Sequence, residues 1–299
     1  MTTMELHQPP RPGQVIREQF RATALSLRIP AIVLASVGAL LMVIVFIDFL
    51  NGRGGVEFSP QLSMLPAFAG LFLPIALWYR DRPFGQGFFW TLPVDRPRHA
   101  AIKILSGWLC LMIAVAGFVL WLLILAFITK GNISSDEMIK LLPSSNVPPS
   151  GTLDESMLRT IRWVPNPLLW LVPFTAATGM YIIANAIAVG VRHPVRLIVA
   201  VFAFGLLLAA VAQGIRSETF WNNTGNFTEA VLYGRYGLDG LLTGGTESLH
   251  TQIRLIDGKS VGVWRGLPVI SNWIAATLLW SSLGLVALLA GLMRHRERR

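Results

Sequence analysis

The amino-acid sequence predicts an all-α integral membrane protein with six transmembrane helices, an amphipathic N-terminal interfacial helix, and both termini in the cytoplasm. Three observations lead there. Of 299 residues, 53% are hydrophobic and only 14% charged, where a soluble domain carries about 25% charged residues. Six apolar runs each reach the roughly 20 residues a helix needs to cross a hydrocarbon core about 30 Å thick. Basic residues gather on alternate connections between those runs. The single cysteine excludes a disulfide scaffold.

The leader, residues 1–29, contains one helix-forming stretch, 13–28. At about 100° per residue, Ile16, Phe20, Ala24 and Leu27 fall within an arc of about 80°. Arg17, Arg21 and Arg28 flank that arc. This helix is therefore expected to lie in the membrane interface through Ile16, Phe20 and Leu27. No cleavable signal pattern precedes the first apolar run, which is long enough to span and reads as a signal anchor.

The transmembrane domain, 30–293, holds spans at 30–50, 60–79, 104–129, 168–191, 195–215 and 269–293. Their only formal charges are Asp48 and Arg196, each near an end. A closed β-barrel would need alternating stretches about ten residues long; these runs are continuous, so helices are predicted. Pro30 opens the first span, where proline is tolerated. Pro66, Pro74 and Pro173 are expected to kink their helices. Ala184 with Ala188, and Ala186 with Gly190, have the small-residue spacing of close helix packing. Trp78, Tyr79, Trp163, Trp170 and Trp273 near the span ends fit an interfacial belt, and equally the plain apolar content of membrane helices.

Six spans put both termini on one side. That side comprises the leader, the connection 80–103, the turn near 192–196 and the basic tail 294–299. It holds fifteen of the 25 Lys and Arg but only five of the 16 acidic residues. The positive-inside rule places it in the cytoplasm. The net charge of +9 thus follows from topology, and no nucleic-acid partner is expected. The opposite side carries two long loops, 131–167 and 216–268. Connections of that length carry structure of their own. Short helices or strands packed on the outer mouth are expected, rather than an independent domain.

The polar chemistry is sparse. No ionisable residue sits near the centre of a span, where a proton- or ion-coupled carrier needs one. Thr175, Thr178 and Asn185 are the most polar central groups, and are expected to hydrogen-bond to neighbouring backbone and helices. Cys110 reads as a small packing residue. His7, His99, His193, His250 and His295 show no metal-ligand spacing, and no nucleophile–base set is visible. Gly258-Lys259-Ser260 lacks the earlier glycine of a phosphate-binding loop, because position 253 is Ile.

The connection 80–103, RDRPFGQGFFWTLPVDRPRHAAIK, is the most informative segment. Phe84, Phe88, Phe89 and Trp90 are large and apolar, yet the charges put them outside the bilayer. Such a cluster marks a docking surface; the other reading tucks 88–92 into the membrane interface. Six spans with no energy source of their own and an aromatic inner surface fit a channel-forming subunit driven by a partner. A secondary carrier is disfavoured by the missing mid-span charge. An intramembrane lipid-modifying enzyme is disfavoured by the lack of convergent His, Asp or Glu.

The run Leu92-Pro93-Val94-Asp95-Arg96, followed by Lys103, resembles the Leu-Pro-Val-Ser-Arg run and following Lys of ABC transporter permease subunits of the type-2 exporter class. Asp95 stands where that family has a small hydroxyl residue. The layout is similar over nearly the whole chain: amphipathic leader helix, six spans, inner connection between spans two and three, and large outer segment between spans five and six. The resemblance implies a bacterial inner-membrane permease that pairs with a second permease subunit, as homo- or heterodimer. It implies two cytoplasmic ABC ATPase subunits that bind the ATP and Mg, with no cofactor in this chain. It implies a coupling helix near 83–98, with Phe84, Phe88, Phe89, Trp90, Arg96 and Arg98 as the expected coupling residues. The expected function is export of an amphipathic or hydrophobic cargo by alternating access, with no ATP hydrolysis in this subunit.

Overall fold

A computed structural model describes residues 12–26, 28–52, 64–78, 96–130, 137–141, 158–164, 166–191, 196–197, 199–200, 203, 231, 236–244, 251–256, 259–264 and 269–296. In chain order these form α1 (Pro12–Ser26), α2 (Arg28–Leu50), α3 (Met64–Trp78), α4 (Arg96–Ile128), β1 (Glu137–Leu141), β2 (Arg159–Trp163), α5 (Val172–Gly190), α6 (Leu238–Thr243), β3 (Thr251–Ile256), β4 (Lys259–Trp264) and α7 (Ile270–Arg296). The described residues are mostly helical, as the apolar runs require.

Among the described residues, three helices are long and apolar enough to cross a membrane: Arg98–Ile128, Pro167–Gly190 and Ile270–Met293. They coincide with the expected third, fourth and sixth spans. α2 carries the first expected span as one helix of 23 residues, with Pro30 in its first turn. α3 lies within the expected second span; its described extent is 15 residues, about 22 Å of helix. The expected fifth span lies almost wholly outside the described residues.

α4 is longer than its apolar run. It begins at Arg96 and continues for 33 residues, about 50 Å. Pro97 at its second position loses no hydrogen bond, because the first turn has no partner for its N–H. Arg, His and Lys are tolerated in a helix, so the charged end of the connection 80–103 folds as the first two turns of α4.

Of the three prolines expected to kink helices, only Pro74 is interior to one. It removes the hydrogen bond to the carbonyl of Gly70. Pro66 and Pro173 fall in first turns. Ahead of α5, Pro167–Leu171 form a 3-10 segment capped by Asn166, whose side chain accepts from the Leu168 N–H at 2.9 Å.

α5 is the centre of the bundle and packs against α3, α4, α6 and α7. Val172, Ala176, Ala177, Tyr181 and Asn185 are buried along it. Small residues allow close approach. Gly70 of α3 lies against the backbone carbonyl of Ala177, leaving no room for a side chain. Gly291 of α7 lies against Gly190, where an added Cβ would stand 3.3 Å from its Cα. Of the small residues expected to pack closely, Gly190 lies in this contact.

The strands of 131–167 and 216–268 meet in a four-stranded sheet of order β2-β1-β4-β3. This is the one β addition to the helical fold among the described residues. β1 pairs antiparallel with β2, Glu137 opposite Trp163. β3 and β4 pair antiparallel from Thr251–Trp264 to Ile256–Lys259, across Asp257-Gly258, a two-residue hairpin signal. The parallel pairing of β1 with β4, Leu141 opposite Trp264, joins one loop to the other. Lys259 and Ser260 of the Gly-Lys-Ser run are residues of β4.

Candidate functional site

Tracing the ends of the connection between α3 and α4 leads to a buried polar chain. α3 carries Trp78, and α4 brings Lys103 beside it. Trp78 is 5% exposed and Lys103 7%. The Lys103 ammonium sits 4.7 Å from the centre of the indole ring, a cation–π contact strengthened by exclusion of water. The indole Nε1 donates to Asn185 Oδ1 at 2.9 Å. Asn185 Nδ2 donates to the Tyr181 carbonyl at 2.8 Å, one turn back along α5. The Tyr181 hydroxyl donates to the Ile104 carbonyl at 2.7 Å, returning the chain to α4. Gly107 makes room, since a Cβ there would collide with the Tyr181 hydroxyl.

Leu77, Ala100, Ala186, Ala188, Val189 and Leu288 pack around this chain. In such surroundings an unpaired amide or indole N–H is costly, so the residues hold one another in a single arrangement. A second link lies further along α4 and α5. Trp108 Nε1 donates to Thr178 Oγ1 at 3.1 Å, and Thr178 in turn faces Met112 Sδ at 3.7 Å. Thr175 donates to the Val172 carbonyl at 3.1 Å. Thr175, Thr178 and Asn185 thus all bond within the bundle, as the sequence leads one to expect.

At the opposite end of α5, the short helix α6 is wedged between α5 and α7. Leu241 is 0% exposed and fills the space left by Gly179. Gly240 rests on Ala276, and Gly244, at φ 72°, turns the chain beside Val172 and Leu169. The hydroxyl of Thr243 bonds to the Asp239 carboxylate at 2.8 Å. Trp280 Nε1 donates to the Tyr236 carbonyl at 3.0 Å.

The aromatic residues Phe84, Phe88, Phe89 and Trp90 lie outside the described residues. Arg96 opens α4, and Arg98 follows on its first turn, exposed. In α1, Phe20 is half-buried; Ile16 belongs to the same helix, and Leu27 lies outside the described residues. Tyr181 was not singled out by the sequence, and Trp78 only as a belt aromatic. The usable signal was Asn185 in an apolar helix, since such a group needs a partner. Among the described residues no three His, Cys, Asp or Glu come together. Compared with protein-family models, curated proteins and solved structures, the chain has no match.

Proposed function

We propose that this chain is the transmembrane permease subunit of an ATP-driven exporter of the ABC type-2 class, in a bacterial inner membrane. In this reading both termini are cytoplasmic, a second permease subunit completes the conduit, and a cytoplasmic ABC ATPase binds the ATP and Mg. One observation supports it most. Both ends of the connection between α3 and α4 are tied to α5 through Lys103, Trp78, Asn185 and Tyr181. A partner that pushes on that connection moves α3, α4 and α5 together, because a satisfied buried network is stiff. That is the mechanical link a subunit without its own energy source requires. The cargo is amphipathic or hydrophobic, since the spans offer aliphatic and aromatic side chains and almost no charge.

The test is the triple variant Phe88→Ala, Phe89→Ala, Trp90→Ala, purified together with the cytoplasmic ATPase that accompanies the wild type. The expected result is normal membrane insertion with loss of ATPase co-purification or of its cargo-stimulated hydrolysis. Unchanged co-purification together with unchanged stimulation overturns the coupling role.

A further inference from the structure

α1 turns one face toward α4 and the opposite face outward. Thr23 is 5% exposed and Phe20 half-buried, whereas Gln14, Arg17, Glu18, Arg21 and Leu25 are exposed. The helix packs on α4. At about 100° per residue, Arg17, Arg21 and Leu25 fall within about 80° of one another, roughly opposite Thr23. Arg17 and Arg21 are one turn apart, with about 6 Å between their Cβ atoms. Arg28, also exposed, opens α2 two residues after α1 ends. Glu18 borders this face on the Leu25 side, three residues before Arg21 and about 60° round from it.

We infer that Arg17 and Arg21 form a binding site for the phosphate of an anionic lipid headgroup, with Leu25 reaching the acyl boundary beside it. The inference rests on α1 and its charges, independently of any transport role. α1 lies against a helix of membrane-crossing length, so its outward face meets the headgroup layer. Guanidinium groups grip phosphate oxygens two at a time, which suits a pair one helical turn apart. Leu25 at 61% exposure is costly beside water and favourable at the edge of the hydrocarbon. An acidic soluble partner satisfies the arginines but gives no reason for that leucine.

The experiment uses the full chain in nanodiscs of equal phosphatidylglycerol and phosphatidylcholine, extracted into mild detergent, with the retained lipids quantified by mass spectrometry. The wild type is expected to retain phosphatidylglycerol several-fold over phosphatidylcholine. Arg17→Gln and Arg21→Gln should each lower that preference about fivefold, and the Arg17→Lys, Arg21→Lys pair should keep most of it. Removing the same charge from the far end, with Lys130→Gln and Arg159→Gln, should leave it unchanged. No preference in the wild type, or full preference in the Arg17→Gln, Arg21→Gln double variant, overturns the site.

Discussion

The indole of Trp78 and the carboxamide of Asn185, 107 residues apart in the chain, share a 2.9 Å hydrogen bond. Asn185 uses both ends of its amide, accepting from Trp78 and donating to the Tyr181 carbonyl. This fixes the amide orientation and sets Trp78 of α3 against the C-terminal part of α5. α3, interrupted by Pro74, is held at two points by α5: at Gly70 by close backbone approach, and at Trp78 by this bond.

Breaking the pair has a measurable cost. Asn185→Leu leaves the Trp78 N–H buried without an acceptor, and Trp78→Phe leaves the Asn185 oxygen without a donor. Each should destabilise the protein by about 1 kcal/mol from the lost hydrogen bond, since interhelical bonds in membranes are modest. Packing changes add to both. The double variant should lose less than the two singles together, by about 0.5 kcal/mol or more, because the second change removes a partner already orphaned. Unfolding midpoints in detergent read this directly; strict additivity shows that the two residues do not act together.

Glycine positions separate tight seams from open surface. Gly70→Ala drives a methyl into the Ala177 carbonyl, a backbone group that cannot swing away. Gly107→Ala displaces the Tyr181 hydroxyl from the Ile104 carbonyl. Both should destabilise, by about 1–3 kcal/mol. Gly117→Ala meets nothing within 4 Å and should stabilise α4 by about 0.5–1 kcal/mol, because alanine loses less backbone freedom on folding. Detergent melting curves of the three variants check the order.

The helical part of this fold was legible because length and apolarity are local properties. α4, α5 and α7 follow from unbroken apolar runs, and Asn185 declared its need for a partner by standing among them. The reading stopped short where contacts are long-range. A span drawn from hydropathy begins at Ile104, yet the helix starts at Arg96, since backbone hydrogen bonding continues past the hydrocarbon edge. Pro173 looked like a kink because its position within the turn depends on the 3-10 segment before it. The parallel pairing of β1 with β4 joins strands from separate loops, which no local pattern announces. Tyr181 was hidden because its role depends on the absence of a side chain at Gly107, on another helix.

The wedge formed by α6 gives a third test. Leu241 is fully buried against Gly179. Leu241→Ala should cost about 2–5 kcal/mol if the space stays open. The loss should loosen the N-terminal ends of α5 and α7 while leaving the Trp78–Asn185 end intact. Hydrogen exchange resolved by peptide distinguishes these, with faster exchange expected in 172–179 and 270–280 and unchanged exchange in 181–190. Uniform acceleration along α5 contradicts a local wedge.

Two hydroxyls of the same kind should respond in opposite ways, and this contrast isolates hydrogen bonding from shape. Thr178 Oγ1 accepts from Trp108 Nε1 at 3.1 Å. Thr178→Val keeps the volume but strands the indole N–H, so it should destabilise by about 1 kcal/mol. Thr277 Oγ1 on α7 is buried with no hydrogen-bond partner among the described residues. A buried hydroxyl in that state carries a desolvation penalty that a methyl group does not. Thr277→Val should therefore leave the unfolding midpoint unchanged or raise it, by up to about 1 kcal/mol of added stability. A midpoint that falls as far as in Thr178→Val means that the Thr277 hydroxyl is engaged after all.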